Sequence, residues 1–396
     1  QQVFDEIRTR TVVLWTSLIS GYAEHGPYSE AVRCFEQMQQ ECMIPNNTTF
    51  ANMLSSCAKH TSKRALCKGL QLHVQSMYNN VDSGIVVHTS LINMYNKCGQ
   101  FLDACGVFDT MFIRDTVAWN ALLASYVEHQ RCEDVFNCLE SMQIDGVVQD
   151  SVTFVCILKA CSSIGAIEKG QEIHDEIVNR GMLEQNLMLG TAVIDMYAKS
   201  GLLANSREVF DDLHVRDVIS WTTLIIGYYE YGDDEAALNC FNKMQIEGVT
   251  PNTHTMVCIL RACGSTVDVG KGLEIHAHME KKGWLDSDVA VGTALLDMFI
   301  KCGLLPEAHK IFSTLHFRDV VSWTTLIGGF VQFGHAAEAL ELFDKMRIEG
   351  ISPDAISFIY VLKACNSVQA REKVNEILIE IERKGLVAND LIIGAT

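Results

Sequence analysis

Cysteine and histidine, the residue types that most often bind metals or act in catalysis, recur in this chain at wide, regular intervals. Among the 15 cysteines, which form no CxxC pair, matching positions are held by Cys57, Cys161, Cys263 and Cys365. Histidines recur at His73, His174 and His276, while Leu378 occupies the fourth such position. Side chains spaced this widely along a regular array cannot converge on one ion. We therefore predict buried thiols, helix-packing histidines, no metal site and a reducing compartment.

Tryptophan could stack on nucleic-acid bases, and it too recurs. Trp119, Trp221 and Trp323 are 102 residues apart, within the segments DTVAWNALL, DVISWTTLI and DVVSWTTLI. An earlier copy, TVVLWTSLI around Trp15, lies 104 residues upstream. Because each tryptophan lies in an apolar helical segment, we interpret it as inter-helix packing. The recurrence itself shows that the chain is an array of repeats.

Each period divides into units of 35, 36 and 31 residues. Within a unit, apolar residues at three-and-four spacing form two runs, which predicts a helical hairpin. Extra residues in the segment KHTSKRALCKG account for most of the 104-residue offset. Such hairpins must stack to bury their apolar faces, and stacking predicts a superhelix with a concave binding surface. The whole units begin at Val12, Asn47, Ile85, Thr116, Ser151, Leu187, Val218, Thr253, Val289, Val320 and Ala355.

Composition limits the classes of function. Of 396 residues, 48% are hydrophobic and 5 are proline, which suits a mostly helical protein. No apolar run reaches the roughly 18 residues that span a bilayer, so we expect a soluble protein with no membrane partner. The formal net charge of −18 counts against binding to nucleic acid by bulk electrostatics. No phosphate-binding glycine loop or nucleophile elbow is present, and we predict neither catalysis nor a cofactor.

The first residues, QQVFDEIRTR, match the ends of later units, and the last, LIIGAT, match the starts of others. We therefore expect a fragment of a longer repeat tract, in which a missing targeting peptide carries no information.

The three unit types resemble the P, L and S variants of plant pentatricopeptide repeats. The resemblance rests on VVSWTTLIGGFVQFGHAAEALELFDKMRIEGISPD, SFIYVLKAC and VGTALLDMFIKCG, and we name the 35-, 36- and 31-residue units P, L and S accordingly. It implies an all-α, right-handed superhelical solenoid of hairpins. It divides the single solenoid 1–396 into a partial S unit 1–11, P 12–46, L 47–84, S 85–115, P 116–150, L 151–186, S 187–217, P 218–252, L 253–288, S 289–319, P 320–354, L 355–390 and a partial S unit 391–396.

The family resemblance also implies binding of single-stranded RNA, one base to each P or S unit. In the family, the fifth and last residues of a unit choose the base, and a carboxylate suits guanine, an amide adenine and a fifth-position asparagine uracil. Here the pairs are Thr16 with Asn46, Thr89 with Asp115, Asn120 with Asp150, Thr191 with Asp217, Thr222 with Asn252, Thr293 with Asp319, and Thr324 with Asp354. The predicted target is 5′-A-n-G-U-n-G-A-n-G-G-n-3′. The alternative is that these residues only cap helices and form turns.

The L units depart from this pattern, because their fifth residues cannot hydrogen-bond a base: Ala51, Val155, Val257 and Ile359. We leave their nucleotides unassigned.

Two further sets of residues follow from the resemblance. The second residues would pack against the base plane, with ordinary core packing as the alternative: Val13, Val86, Val117, Met188, Ile219, Ala290 and Val321. Recurrent cations of the S and L units would contact phosphates, with solvated surface cations as the alternative: Lys97, Lys199, Lys301, Lys159, Arg261 and Lys363.

Many plant proteins of this kind select sites for cytidine-to-uridine editing in mitochondria or chloroplasts, using a deaminase domain with an HxE and a CxxC motif. His174-Asp175-Glu176 matches HxE, but no CxxC follows. We expect the deaminase to lie beyond Thr396 or to come from a partner protein. The alternatives are an organellar RNA stability, splicing or translation factor without an editing role, and a protein-binding helical scaffold, which the acidic charge favours.

Overall fold

The computed structural model describes residue 4 and residues 10–79, 84–183, 186–284 and 288–385. These residues form 22 α-helices and no β-strand, which confirms the all-α prediction. Most of the predicted partial S unit 1–11, the end of the last L unit and the partial S unit 391–396 lie outside the described residues.

The chain divides into two compact units, Gln1–Ser200 and Gly201–Thr396, which we call the N-terminal and C-terminal halves. The helices of the N-terminal half are α1 (Val12–His25), α2 (Tyr28–Gln40), α3 (Asn47–His60), α4 (Lys63–Tyr78), α5 (Ile85–Lys97), α6 (Phe101–Asp109), α7 (Thr116–Glu128), α8 (Cys132–Ile144), α9 (Ser151–Ile164), α10 (Ile167–Asn179) and α11 (Leu187–Lys199). Those of the C-terminal half are α12 (Leu203–Asp212), α13 (Val218–Glu230), α14 (Asp234–Ile246), α15 (Thr253–Thr266), α16 (Val269–Lys282), α17 (Val289–Lys301), α18 (Leu305–Thr314), α19 (Val320–Gln332), α20 (Ala336–Ile348), α21 (Ala355–Val368) and α22 (Arg371–Arg383).

Odd-numbered helices are the first helices of their units, and even-numbered helices are the second. In each half, successive first helices pack on one another, and a second helix packs against its own first helix and against the next first helix where these helices lie in the same half. Every first helix begins at the residue at which a whole unit is predicted to begin. The continuity of the two halves as one right-handed superhelix stays a prediction.

Short-range signals set the ends of the helices. Most first helices follow an Asn or Asp whose side chain accepts a backbone N–H of the first turn, which satisfies a donor that the helix itself cannot pair. The second helices of three P units end before Gly146, Gly248 and Gly350, whose φ values of 70° to 79° suit glycine. After Gly146, the Val147 N–H donates to the carbonyl of Met142 at 3.1 Å, as in a Schellman motif.

The tryptophans form the core between successive units, as predicted. Trp15, Trp119, Trp221 and Trp323 are at most 3% exposed. Each meets a phenylalanine of the preceding unit edge to face; the ring centroids of Phe108 and Trp119 are 4.7 Å apart, and those of Phe210 and Trp221 are 4.5 Å apart. Such aromatic pairs add to the stability gained by burial.

The recurrent histidines and cysteines also pack as predicted. His73 shares a hydrogen bond of 2.7 Å with the Tyr95 hydroxyl, and His174 shares one of 3.0 Å with Tyr197. All fifteen cysteines are free thiols, and the recurrent Cys57, Cys161, Cys263 and Cys365 are buried. Cys42 and Cys67 are exposed, so the prediction of buried thiols is wrong for these two. Burial raises the pKa of Cys57 to about 11, so this thiol stays protonated and unreactive near neutral pH.

Candidate nucleic-acid interface

The second residues of the P and S units are exposed although nearly all of them are apolar. Side-chain exposure is 53% to 69% for Val13, Val86, Val117, Met188, Ile219 and Val321, and Ala290 is exposed as well. These residues lie in the first turn of their first helices, beside buried tryptophans in the P units. Their exposure excludes the core-packing alternative, and contact with a base plane stays a prediction.

The fifth residues lie one helical turn further along and are much less accessible. Thr16, Thr89, Asn120, Thr222 and Thr324 are 6% to 8% exposed, whereas Thr191 and Thr293 are half-buried. Several of the threonine hydroxyls donate to the carbonyl four residues earlier, as Thr89 does to Ile85 at 2.9 Å. Only a narrow edge of the five most buried fifth side chains can therefore reach a ligand.

The last residues of the P and S units cap the helices that follow them. The Oδ1 atom of each accepts the backbone N–H of the third residue of the next unit at 2.8 or 2.9 Å. The capping interpretation is therefore correct, but a cap uses only one of the two terminal atoms. In the part of the chain that the structure describes, no hydrogen bond is recorded to the other, Nδ2 of Asn46 and Asn252 or Oδ2 of the five aspartates.

At the four junctions from a P unit to the next L unit, a buried hydroxyl links the two predicted base-selecting residues. The third residue of the L unit supplies it: Thr49, Thr153, Thr255 and Ser357, each 0% exposed. The Thr153 hydroxyl lies 2.6 Å from Asn120 Oδ1 and 3.0 Å from Asp150 Oδ1. Asn120 Nδ2 donates directly to Asp150 Oδ1 at 2.9 Å. Residues 30 positions apart in sequence thus share one hydrogen-bond network.

The other P–L junctions repeat this arrangement with small variations. Thr16 and Thr49 hydroxyls are 2.8 Å apart, and the Thr49 hydroxyl donates to Asn46 Oδ1 at 2.9 Å. The hydroxyl oxygens of Thr222 and Thr255 are 2.6 Å apart, and the Thr255 hydroxyl donates to Asn252 Oδ1 at 2.9 Å. At the last junction, the Ser357 hydroxyl oxygen lies 2.6 Å from the Thr324 hydroxyl oxygen and 2.7 Å from Asp354 Oδ1.

The junctions from an S unit to the next P unit lack this link where both partners lie in the same half. The third residue after Asp115 is Ala118, which has no hydroxyl. Ser322 has one, but it donates to the backbone carbonyl of Asp319 at 2.9 Å. The Thr293 hydroxyl oxygen is buried without a hydrogen-bond partner. For the remaining pair, Thr191 bonds the carbonyl of Leu187, and Asp217 caps α13.

Hydrogen bonding also tunes the charge of Asp150. Partial burial raises the pKa of this carboxyl. Hydrogen bonds from the backbone of Thr153 and from the side chains of Asn120 and Thr153 lower the pKa by more, so that the net shift is downward. Asp150 therefore remains a charged acceptor near neutral pH.

The predicted phosphate-binding cations fall into two groups. The S-unit lysines form ion pairs: Lys97 with Glu128, Lys199 with Asp195 and Lys301 with Asp297. Among the described residues, the L-unit cations have no ion pair: Lys159, Arg261 and Lys363. Because a free cation gains more from a phosphate than one already neutralised, the L-unit group is the better candidate.

The third residues of the L units were not predicted from the sequence. The signal was present, because an Asn or Asp followed three residues later by Thr or Ser is a variant of the capping box, and it recurs in NNTT, DSVT, NTHT and DAIS. What the sequence does not reveal is that the hydroxyl also bonds the preceding P unit.

Other kinds of site find no support in the described residues. They contain no cluster of three or more His, Cys, Asp or Glu side chains able to hold a metal ion. None of their helices is both long and apolar enough to cross a bilayer.

Comparison with known sequences shows similarity to repeat proteins throughout the chain. A model of the PPR repeat family matches residues 10–59, 114–163, 216–265 and 318–367. A second model, of the PPR repeat, matches residues 86–114, 152–182 and 191–218. Both models describe repeats.

Curated relatives from Arabidopsis thaliana agree with these matches. The chain is 32% identical over 94% of its length to a chloroplastic pentatricopeptide repeat-containing protein, of which it covers 60%. It is 34% identical over 92% of its length to a second such protein, of which it covers 50%, and 31% identical over 92% to a mitochondrial one, of which it covers 35%. The chain thus spans less than two thirds of these relatives.

Solved structures show the same fold. The crystal structure of the pentatricopeptide repeat protein PPR10 in complex with an 18-nucleotide psaJ RNA element aligns with a TM-score of 0.74 at 16% identity, covering 97% of this chain and 57% of that one. PPR10 from maize aligns with a TM-score of 0.69 at 20% identity, covering 97% and 60%.

Proposed function

The chain belongs to the pentatricopeptide repeat family, and from this premise we propose that it binds single-stranded RNA sequence-specifically, one base to each P or S unit. The bases would meet the starts of the first helices, where the second, fifth and last residues of each unit lie.

One observation carries this proposal: the last residues cap helices through Oδ1 and keep the other terminal atom without a recorded protein partner. On Asp115, Asp217, Asp319 and Asp354 this atom is an acceptor, which suits the N–H groups on the pairing edge of guanine. On Asp150, which is paired with Asn120, the same acceptor suits the ring N–H of uracil. On Asn46 and Asn252 it is an amide donor, which suits the ring nitrogen of adenine. A row that served only to cap helices would not need to choose between these two chemistries.

Two further features support the proposal. The exposed apolar second residues would pack against base planes, a contact that any base can make. The unpaired L-unit cations would provide phosphate contacts on a protein whose net charge is −18. The RNA in the PPR10 complex supports this class of ligand by family membership.

A competition gel-shift assay tests the proposal. We expect 5′-A-n-G-U-n-G-A-n-G-G-n-3′ RNA to bind at least about tenfold more tightly than a scrambled RNA of the same composition, since each mismatch costs about 1–3 kcal/mol by analogy with DNA readout. Equal affinity for both RNAs would contradict base reading. No RNA binding at all would instead favour a protein-binding scaffold.

We further propose that the chain is the site-recognition tract, of the P–L–S kind, of an organellar cytidine-to-uridine editing factor. The chloroplastic and mitochondrial names of relatives support an organellar location. The deaminase would follow in the full-length protein or come from a partner. Transcript sequencing in a plant that lacks the protein should show an unedited cytidine next to the predicted target. Fully edited transcripts would favour the alternative role in RNA stability, splicing or translation.

A further inference from the structure

We propose that the third residue of each L unit is a positioning residue for the base-selecting pair of the P unit before it. These residues are Thr49, Thr153, Thr255 and Ser357. The inference rests on the proposed function, and it gives the L units a part in reading bases that their own apolar fifth residues cannot contact.

Capping alone does not require this hydroxyl. At the junction after Asp115, the backbone N–H of Ala118 donates to Asp115 Oδ1 at 2.9 Å, the same distance as from Thr153 to Asp150. The cap therefore forms equally well when the third residue has no hydroxyl. What the hydroxyl adds is its contact with the fifth residue of the preceding unit.

In the unit 116–150, that contact orients an amide. The Thr153 hydroxyl oxygen lies closer to Asn120 Oδ1, at 2.6 Å, than to Asp150 Oδ1, at 3.0 Å, and Asn120 Nδ2 donates to Asp150 Oδ1 at 2.9 Å. A hydroxyl donor on one side and a carboxylate acceptor on the other permit only one orientation of the amide. Asn120 is thus held ready for its ligand before RNA binds, which lowers the entropy cost of binding.

In the units with a fifth-position threonine, the contact gives the threonine hydroxyl a buried partner within the protein. The Thr49 hydroxyl oxygen lies 2.9 Å from Asn46 Oδ1 and 2.8 Å from the Thr16 hydroxyl oxygen. The other protein acceptor near Thr16 is the Val12 carbonyl, also at 2.8 Å. Whether Thr16 donates to Thr49 or to the Val12 carbonyl, its only hydroxyl proton stays within the protein. Toward a base, the Thr16 oxygen can then only accept a hydrogen bond.

Full burial makes these contacts independent of solvent. Each third-position side chain is 0% exposed, and a buried hydroxyl that loses its partners is costly, so the network has few alternatives. A positioning role therefore predicts a change in base discrimination at one nucleotide rather than a uniform change in affinity.

The test compares Thr153→Val, which keeps the shape and removes the hydroxyl, with Thr153→Ser, which keeps the hydroxyl as Ser357 does. Affinity is measured for RNAs carrying U or C at the nucleotide assigned to unit 116–150, and G or A at the nucleotide assigned to unit 85–115. The ratio of affinities for G and A is an internal control, because Ala118, the third residue after Asp115, has no hydroxyl to join Thr89 to Asp115. Thermal melts of both variants check folding.

We expect Thr153→Val to lower the U-to-C ratio about 3- to 10-fold, the effect of one neutral hydrogen bond, and to leave the G-to-A ratio unchanged. Thr153→Ser should keep both ratios. An unchanged U-to-C ratio in Thr153→Val, or an equal fall in both ratios, would overturn the positioning role while leaving base reading intact. If the unmodified protein discriminates at neither nucleotide, base reading fails and the inference fails with it. If Thr153→Val does not fold, Ser357→Ala against Ser357→Thr decides the question at the nucleotide assigned to unit 320–354.

Discussion

The P–L and S–P junctions carry the same residue types in their fifth and last positions, yet they are built differently. At the P–L junctions, hydrogen bonds through a third-position hydroxyl join the two residues. At the S–P junction after Asp115, Thr89 and Asp115 bond only backbone atoms within four residues in sequence. At the junction after Asp319, Asp319 caps its helix and the Thr293 hydroxyl has no hydrogen-bond partner. Two positions that look alike in sequence can therefore differ in how firmly the protein holds them before a ligand arrives.

Residue type alone does not explain the difference. Ser357 and Ser322 are both buried serines in the third position, but Ser357 contacts Thr324 and Ser322 contacts a backbone carbonyl. The units that precede them differ in length, 35 residues against 31. The second helix of the preceding unit is also shorter before Ser322, 10 residues in α18 against 13 in α20.

The largest expected effect is on local stability when the last residue is truncated. Asp150→Ala removes a cap, worth about 1 kcal/mol, and leaves Asn120 and Thr153 short of a buried partner, worth about 1–3 kcal/mol more. Asp115→Ala removes a cap alone and should cost about 1 kcal/mol. Amide hydrogen exchange at the starts of α9 and α7, measured by mass spectrometry, gives both values. Equal losses would show that the network at Asp150 adds nothing to the cap.

A change of base preference should follow when an S unit is given the residue pair of a P unit. Thr89→Asn places Asn beside Asp115, the combination of Asn120 and Asp150, and should shift the preferred nucleotide from G to U by about 1–3 kcal/mol. Because Ala118 cannot orient the new amide, we expect a weaker preference than at unit 116–150.

Affinities for RNAs that differ only at this nucleotide measure the shift. The matched control is Ser90→Asn, which introduces the same amide at the partly exposed neighbouring position and should leave the preference for G as it is. A preference for G that survives Thr89→Asn would refute the register.

The smallest effect separates the two buried serines. Ser357→Ala removes the recorded hydroxyl partner of Thr324 and should cost about 1 kcal/mol. Ser322→Ala should cost less, because the Asp319 carbonyl still accepts the Trp323 N–H at 3.2 Å. Urea denaturation of the two variants under identical conditions compares the costs. A larger loss of stability for Ser322→Ala than for Ser357→Ala would contradict the view that the P–L junction is held more firmly than the S–P junction.

The sequence predicted the fold well because its signals are short in range. Three-and-four apolar spacing, Asp or Asn before a first helix, and glycine after a second helix act within a few residues, and all recur with the period of the array. Burial of Trp119 and packing of His174 on Tyr197 follow from the same spacing. The second residues were harder, because an apolar residue in a first turn suits either a core or a ligand surface, and only the exposure of Val13 and Val117 decides between them.

By itself, then, the sequence determined the hairpin units, their starting residues, the all-α class and the family. The tertiary structure decided that Thr153 joins Asn120 to Asp150, that most of the fifth residues offer only a narrow edge, and that the S-unit lysines are already paired. The physical reason is that helices and caps depend on residues a turn apart, whereas these contacts join side chains about 30 residues apart and depend on how stacked helices are spaced to within an ångström.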